Sequence, residues 1–298
     1  HDGAWIADHP WLEGTEDLRH ATDRDAIDDL VRASRYGGLG RRGGHGHRGE
    51  GYRSPAGLER GTSSATLGAM ADVDSRAGLR YATPEILDYT ARVHVPHDRA
   101  LEAAFRAPEE HGLPPIQVGP SEGATIALLL RLAGARRVVE IGTLAGYSAL
   151  WIARALPEDG LLYTIDHDPN ASEIARQNVE AAGLSSKVRF VVGDGVAMLP
   201  TIASAGPFCA VFVDADKGRY DLYGRWARDH LREGGLLIGD NAYFFGKLLD
   251  PVDAAAAAMR RFHEEMGEAF DSVCIPTPDG LAVGIKSSHS RMIPTRLD

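Results

Sequence analysis

The chain has 298 residues, 44% of them hydrophobic and 25% charged, which is ordinary for a globular protein with one large domain and an appendage. Its net charge of -10 does not predict a nucleic-acid partner. No apolar run approaches the roughly 18 residues of a membrane span, no secretory leader is visible, and the two cysteines suit a reduced core, so we expect a cytoplasmic protein without a membrane partner.

Residues 1–69 differ in composition from the rest of the chain. They contain 13 of the 34 glycines and no lysine, and such a segment buries little apolar surface. The sequence therefore predicts a poorly ordered Gly/Arg-rich extension over 1–69 and a single domain over 70–298.

Helices are predicted first in that domain, between residues 83 and 133. Thr83 followed by Pro84 is a typical helix start, with an N-cap and a proline at the first helical position. The apolar spacing predicts helices over 83–93, 98–105 and 121–133.

Strands and helices then alternate. Predicted strands cover 137–141, 161–165, 188–192, 209–213 and 235–239, and a terminal hairpin pairs 271–276 with 281–286. This alternation indicates an α/β protein with a doubly wound, mostly parallel seven-stranded sheet that ends in an antiparallel hairpin.

Oxygen-bearing side chains follow two neighbouring strands of this sheet. Asp214 ends the fourth strand, and Asp240 and Asn241 end the fifth. Ligands bind at the carboxyl ends of such strands, and three oxygens suit a hard cation such as Mg²⁺ or Ca²⁺.

Lys217 stands beside this set and is one of only four lysines in the chain. It is either a base with a shifted pKa or a counter-charge for the nearby carboxylates.

The first strand ends in Glu140-Ile-Gly142, and a second glycine follows at position 146. A dinucleotide fold would have G-x-G-x-x-G at this turn, whereas this chain has G-x-x-x-G preceded by an acid. Glu140 suits a ligand that carries an ammonium group.

An acid and a glycine turn follow the next two strands. Asp166 suits ribose hydroxyls, and we favour this over helix capping because Asp168 already precedes Pro169. Gly195 closes the third strand, where an adenine ring has room along the loop.

These motifs, in this order, resemble the cation-dependent O-methyltransferases, the catechol and caffeoyl-CoA O-methyltransferase family. The resemblance runs from about Pro84 to Lys286 and rests on Glu140-Ile-Gly-Thr-Leu-Ala-Gly-Tyr-Ser148, Asp166, Asp214-Ala-Asp-Lys217 and Asp240-Asn241. It implies a Rossmann-like class I methyltransferase fold, S-adenosylmethionine as cofactor, a divalent cation and a homodimer.

The resemblance also implies a role for each matching residue. Lys217 would be the general base, and Asp214, Asp240 and Asn241 would bind the cation, with Mg²⁺ first and Ca²⁺ or Mn²⁺ as alternatives. The residues implied to bind the cofactor are Val118, Glu140, Gly142, Thr143, Ser148, Asp166, Gly195 and Asp216.

The expected reaction is methyl transfer to a hydroxyl of a vicinal dihydroxy, catechol-type small molecule. The coenzyme-A-ester enzymes of the family use basic residues near the N-terminal helices. Here that stretch offers Arg80, Arg92 and Arg99 but no lysine. A smaller acceptor is therefore favoured over a coenzyme A thioester. Two alternatives stay open at this point: a nicotinamide-dependent oxidoreductase and a non-enzymatic S-adenosylmethionine-binding protein.

Overall fold

The computed structural model describes residues 82–287. The extension predicted over 1–69 lies outside the described residues, as do both ends of the domain predicted over 70–298. Predicted and observed helices and strands are therefore compared within residues 82–287.

From residue 82 onward, three helices precede the sheet, as the sequence predicts: α1 (Pro84–His94), α2 (Arg99–Glu110) and α3 (Pro120–Leu132). Thr83 caps α1 through its hydroxyl, and the Asp98 carboxylate accepts two backbone N–H groups at the start of α2. The second helix is longer than predicted: it continues past Phe105 and includes Pro108, and it ends two residues after this proline. No side chain of α1 is buried.

Seven strands form one sheet in the order β3-β2-β1-β4-β5-β7-β6. The strands are β1 (Arg137–Ile141), β2 (Leu161–Asp166), β3 (Val188–Val192), β4 (Phe208–Val213), β5 (Leu231–Gly239), β6 (Phe270–Ile275) and β7 (Leu281–Lys286). The first five are parallel, and β7 runs antiparallel to both β5 and β6. The predicted hairpin is confirmed, and β7 inserts between β5 and β6.

Helices connect the parallel strands and cover both faces of the sheet: α4 (Tyr147–Ala155), α5 (Pro169–Ala181), α6 (Gly195–Ile202), α7 (Tyr220–His230) and α8 (Ala254–Ala269). Every residue of β4 is buried, as expected for a central strand. Ala210 and Phe212 pack into one apolar cluster, and Val211 and Val213 pack into the other. The alternation of side chains along the strand thus supplies two cores, one on each face.

None of the helices within residues 82–287 has the length and apolar character needed to cross a membrane.

Candidate active site

The predicted site residues follow strands whose carboxyl ends meet at one edge of the sheet. Backbone hydrogen bonds continue across this edge after the strands end. The Gly142 N–H donates to Ile165 O at 2.8 Å, and the Asp214 N–H donates to Ile141 O at 2.9 Å. The Asp240 N–H donates to Val213 O, also at 2.9 Å. The loops after β1, β4 and β5 are therefore held in register by the sheet itself.

Gly142 brings the loop after β1 against the loop after β4. Its φ is +101°, and a Cβ placed there would lie 1.9 Å from the main-chain oxygen of Asp214. Only glycine fits this position, because any side chain would collide with a backbone atom that the sheet holds in place. The predicted cofactor loop and the predicted cation loop are therefore in direct contact.

Glu140 is a fully buried acid at the end of β1. The Thr164 hydroxyl donates to Oε2 at 2.6 Å, and the Thr143 hydroxyl lies 2.5 Å from that of Thr164. Burial raises the pKa of Glu140 to about 8, although hydrogen bonds from Ser148 and Thr164 oppose the shift. Among the described residues Oε1 has no hydrogen-bond partner. This buried acceptor suits a cationic ligand group that brings its own N–H donors.

Asp166 braces the loop after β1. Its Oδ2 accepts the N–H groups of Thr143 at 2.9 Å and Leu144 at 2.8 Å, and its Oδ1 accepts the Asp168 N–H at 2.9 Å. Asp168 in turn caps α5 by accepting the Asn170 N–H. Loop bracing was not foreseen from the sequence. Oδ1 accepts only one of these bonds and keeps an acceptor direction for the predicted ribose contact.

Lys217 follows β4 and contacts two side chains, those of Asp214 and Tyr220. Its Nζ donates to Asp214 Oδ1 at 2.9 Å and to the Tyr220 hydroxyl at 2.9 Å. Only 13% of the Lys217 side chain is exposed. The counter-charge position is therefore occupied in the structure, and the positive charge of Lys217 also opposes the rise in the pKa of Asp240.

Asp240 is a nearly buried carboxylate, with 4% of its surface exposed. Burial is the main cause that raises its pKa, and the negative charges of Asp214 and Glu122 add to the effect. Its Oδ1 has no hydrogen-bond partner within the described part of the chain. Two neighbouring carboxylates, one with an unpaired buried oxygen, fit the donor set of a hard cation.

Asn241 follows directly, with a φ of +51°. Between residues 82 and 287 no three His, Cys, Asp or Glu side chains cluster closely enough to share an ion. The predicted cation ligands do not form such a cluster, because they are the two carboxylates of Asp214 and Asp240 and the amide of Asn241. Their role as cation ligands stays a prediction, which the preference of hard cations for oxygen atoms supports.

Asp216 and Gly195 lie in a neighbouring cluster. The Tyr223 hydroxyl donates to Asp216 Oδ1 at 2.6 Å, and Arg219 forms ion pairs with Asp216 and Asp194. A Cβ on Gly195 would lie 2.8 Å from the Tyr223 hydroxyl. The two predicted cofactor residues are thus brought together through Tyr223, which sequence reasoning missed.

Val118 is buried against the first apolar cluster, just before α3. Ser148 lies in the first turn of α4, and its side chain opposes the rise in the pKa of Glu140. The predicted contacts of Val118 and Ser148 with the cofactor stay predictions.

Three aromatic residues follow Asn241 and take different environments. Phe244 is buried in the second apolar cluster, whereas Phe245 is 63% exposed. Tyr243 packs against Gly280 in the turn between β6 and β7. Of the three, Phe245 is the ring free to contact a ligand.

Sequence reasoning also missed Tyr220, whose hydroxyl lies 3.0 Å from Val213 O and 2.9 Å from Asp240 O. Its position three residues after Lys217, at the start of α7, was the available signal.

Comparisons with known proteins agree with this geometry. The sequence profile of a family described as O-methyltransferase matches residues 93–286. A catechol O-methyltransferase of Niastella koreensis is 40% identical over 63% of this chain and 90% of its own length. A catechol O-methyltransferase of Mycobacterium tuberculosis is 38% identical over 68% of this chain and 95% of its own length. Among solved structures, this chain resembles the O-methyltransferase TomG from Streptomyces achromogenes, which is involved in tomaymycin synthesis and was crystallised in complex with SAM. The two sequences are 36% identical. The structures superpose with a TM-score of 0.65 over 68% of this chain and 96% of the TomG chain.

Proposed function

The chain belongs to the O-methyltransferase family and is an S-adenosylmethionine-dependent O-methyltransferase, and on that premise we propose that it methylates one hydroxyl of a vicinal dihydroxy aromatic small molecule with the help of a divalent cation. Family membership favours this reading over the oxidoreductase and the non-enzymatic binder that the sequence left open. Relatives named catechol O-methyltransferase support the acceptor class.

One observation carries the proposal: Asp214 joins the two halves of the site. Its carboxylate holds Lys217, and its main-chain oxygen touches the Gly142 loop. A methyl donor held by that loop and an acceptor held beside Lys217 are therefore neighbours, which is the arrangement that in-line transfer requires.

The donor would be held by residues on the β1, β2 and β3 loops. Glu140 Oε1 would accept the ammonium group, and Asp166 would accept ribose hydroxyls. Gly195 and Asp216 would lie near the adenine. Val118, Gly142, Thr143 and Ser148 would line the amino-acid end. S-adenosylmethionine supplies a methyl group on a positively charged sulfur, which makes the methyl carbon electrophilic.

The acceptor half uses Asp214, Asp240 and Asn241 as cation ligands. When bound, Mg²⁺, or Mn²⁺ or Ca²⁺ in its place, supplies positive charge that lowers the pKa of a coordinated phenol and fixes its direction. An acceptor with two adjacent hydroxyls would suit such a cation, because hard cations prefer oxygen donors. In its neutral amine form, Lys217 would take the proton of the reacting hydroxyl and become an ammonium group; the hydroxyl oxygen then bonds to the methyl carbon as the carbon–sulfur bond breaks and its electron pair stays on the sulfur.

Phe245 extends from the same loop with its ring largely exposed and provides an apolar surface for an aromatic acceptor. A homodimer is part of the proposal by family resemblance alone.

The test is methyl transfer to catechol and to phenol, each with Mg²⁺ and again with a chelator. We expect catechol to be methylated only with the ion and phenol to be inert, because phenol lacks the second oxygen. Turnover of catechol that ignores the chelator would remove the cation from the mechanism. No turnover of any catechol, with S-adenosylmethionine still bound, would move the acceptor outside this class.

A further inference from the structure

The loop after β5, residues 240–250, begins with two of the predicted cation ligands and has an unusual backbone. Asn241, Phe244 and Phe245 have φ angles of +51°, +51° and +52°. Such angles are uncommon for residues other than glycine, and they persist only where surrounding contacts hold them. The position of the Asn241 side chain therefore depends on the contacts that hold this loop.

Helix α8 packs against the end of β5 and reaches this loop. Phe262 is buried in that helix, and a Cβ on Gly239, the last residue of β5, would lie 2.9 Å from the Phe262 ring. Glycine at this position thus allows the helix to approach the strand closely. The Phe262 ring also packs on that of Tyr220, with 5.4 Å between the ring centroids. The next residue, His263, is therefore held beside the loop that follows β5.

His263 bonds to the loop through its ring. Its Nε2 lies 2.8 Å from the main-chain oxygen of Ala242, the residue after Asn241. A carbonyl oxygen only accepts hydrogen bonds, so Nε2 carries a proton and donates it to this bond. Ala242 is buried, with 1% of its surface exposed, and a buried carbonyl is costly to leave without a donor. The histidine thus supplies a contact that water does not easily replace.

The main chain is held on both sides of Asn241. Before it, the Tyr220 hydroxyl donates to Asp240 O at 2.9 Å. After it, the Ala242 N–H donates to a main-chain oxygen in the turn between β6 and β7, also at 2.9 Å. The bond from His263 holds the carbonyl of the same residue, so both main-chain polar groups of Ala242 are fixed. Without the histidine, Asn241 would be freer to return to a negative φ, which would change the direction of its side chain.

We propose that His263 is a positioning residue for the candidate cation site: it holds the main chain at Ala242 and thereby keeps Asn241 in the backbone conformation from which its side chain reaches the divalent cation. His263 acts through the loop and not through the ion or the acceptor. This inference rests on the cation site of the proposed function.

The test measures the Mn²⁺ affinity of the full chain without cofactor, by the loss of the free-ion electron paramagnetic resonance signal. His263→Leu keeps an apolar side chain of moderate size on α8 but removes the donor. We expect its dissociation constant for Mn²⁺ to rise about 10-fold to 100-fold, the usual range when a group that orients a metal ligand is lost. Wild-type affinity in this variant would make the proposal wrong.

His263→Gln is the conservative variant. Its side-chain amide keeps an N–H donor of similar reach, so its Mn²⁺ dissociation constant should stay within about threefold of wild type. Equal losses in the leucine and glutamine variants would overturn the proposal, because the hydrogen bond to Ala242 O would not be the cause.

A double-mutant cycle separates the positioning of Asn241 from a general loosening of the protein. Asn241→Gly removes the amide and tolerates a positive φ. In that background His263→Leu should change the Mn²⁺ dissociation constant by less than about threefold, because the side chain that it positions is gone. An equal effect in both backgrounds would mean that His263 acts on another part of the site, and the proposal would be refuted.

His230→Leu is the matched control for destabilisation. His230 also bonds to a main-chain oxygen, that of Trp226 at 2.8 Å, but it ends α7 just before β5 begins, away from the carboxyl ends of the strands. We expect this variant to lose stability in urea unfolding and to keep its Mn²⁺ affinity. A loss of affinity comparable to that of His263→Leu would overturn the assignment.

Binding of S-adenosylhomocysteine distinguishes this inference from the proposed function. Its affinity should stay within about twofold of wild type in the variants of His263, since the histidine bonds to the cation loop and not to the donor loops. A wild-type protein that binds S-adenosylhomocysteine but no Mn²⁺ would refute the cation site and, with it, this inference. Wild-type binding of Mn²⁺ that His263→Leu leaves unchanged would refute this inference alone.

Discussion

The Nζ atom of Lys217 lies 2.9 Å from the hydroxyl of Tyr220, and that hydroxyl also lies 2.9 Å from the main-chain oxygen of Asp240. The hydroxyl proton points to a carbonyl, so its lone pair faces the lysine. Tyr220 thereby links the end of β5 to the lysine after β4, and it holds the ammonium group without adding a charge.

Replacement of Tyr220 by phenylalanine should loosen Lys217. We expect a lower kcat and a free energy of unfolding reduced by about 1–3 kcal/mol, because buried carbonyls lose a donor. Steady-state kinetics and urea unfolding measure the two effects. Tyr89→Phe is the control, since Tyr89 is exposed on α1. Wild-type kcat in Tyr220→Phe would show that Lys217 needs no such support.

Lys217→Arg separates a base from a counter-charge. Arginine keeps the positive charge beside Asp214 but does not give up a proton near neutral pH. If Lys217 is the base, kcat should fall about 100-fold or more, as far as in Lys217→Met. Mn²⁺ affinity, measured in parallel, identifies variants that disturb the cation site. An arginine variant with more than about a tenth of wild-type kcat would favour the counter-charge role.

Glu140 predicts a pH dependence of stability in the cofactor-free protein. Its pKa rises from 4.5 to about 8 on burial. Between those values the folded protein binds more protons at this side chain than the unfolded chain does, so the free energy of unfolding contributed by this group falls as pH rises. Glu140→Gln should flatten that part of the profile, which urea unfolding at about pH 6 and about pH 8.5 would reveal. An unchanged pH profile in the variant would contradict the assignment.

The same residue predicts proton release on cofactor binding. An ammonium group favours the ionised carboxylate, so binding below about pH 8 should release a proton from Glu140. Calorimetry of S-adenosylhomocysteine binding in two buffers of different ionisation enthalpy measures it. Glu140→Gln should abolish that release and weaken binding about 10-fold to 100-fold, the value of a hydrogen bond to a charged group. Wild-type affinity in the variant would place the ammonium group elsewhere.

Gly142→Ala should be far more harmful than alanine at another left-handed glycine. Its Cβ would lie 1.9 Å from Asp214 O, whereas a Cβ on Gly183, which has a φ of +69°, would have nothing within 4 Å. Gly183→Ala should therefore cost only backbone strain, about 1–2 kcal/mol. We expect Gly142→Ala to lose at least about 2 kcal/mol more in urea unfolding, because the β4 loop must move. Equal losses would mean that the two loops separate easily.

The sequence was sufficient to predict the sheet and the order of its motifs, because apolar runs and strand-end acids are local signals. Asp214, Asp240 and Lys217 were predicted together since parallel strands end at one edge. Tyr220 was not, because it joins the site only through tertiary contacts from α7. The bracing of the β1 loop by Asp166 was missed for the same reason: its N–H partners lie 22 and 23 residues away in the chain.

Backbone bonds that continue past the ends of β1, β4 and β5 divide the enzyme into a fixed half and an adjustable half. The loops after these strands, which carry the predicted cofactor and cation residues, are attached to the sheet, so substitutions there disturb the framework. By contrast, α1 buries no side chain, and Leu249 and Val252 are almost fully exposed. Substitutions can therefore accumulate, or be engineered, in these outer segments without disturbing the loops at the strand ends.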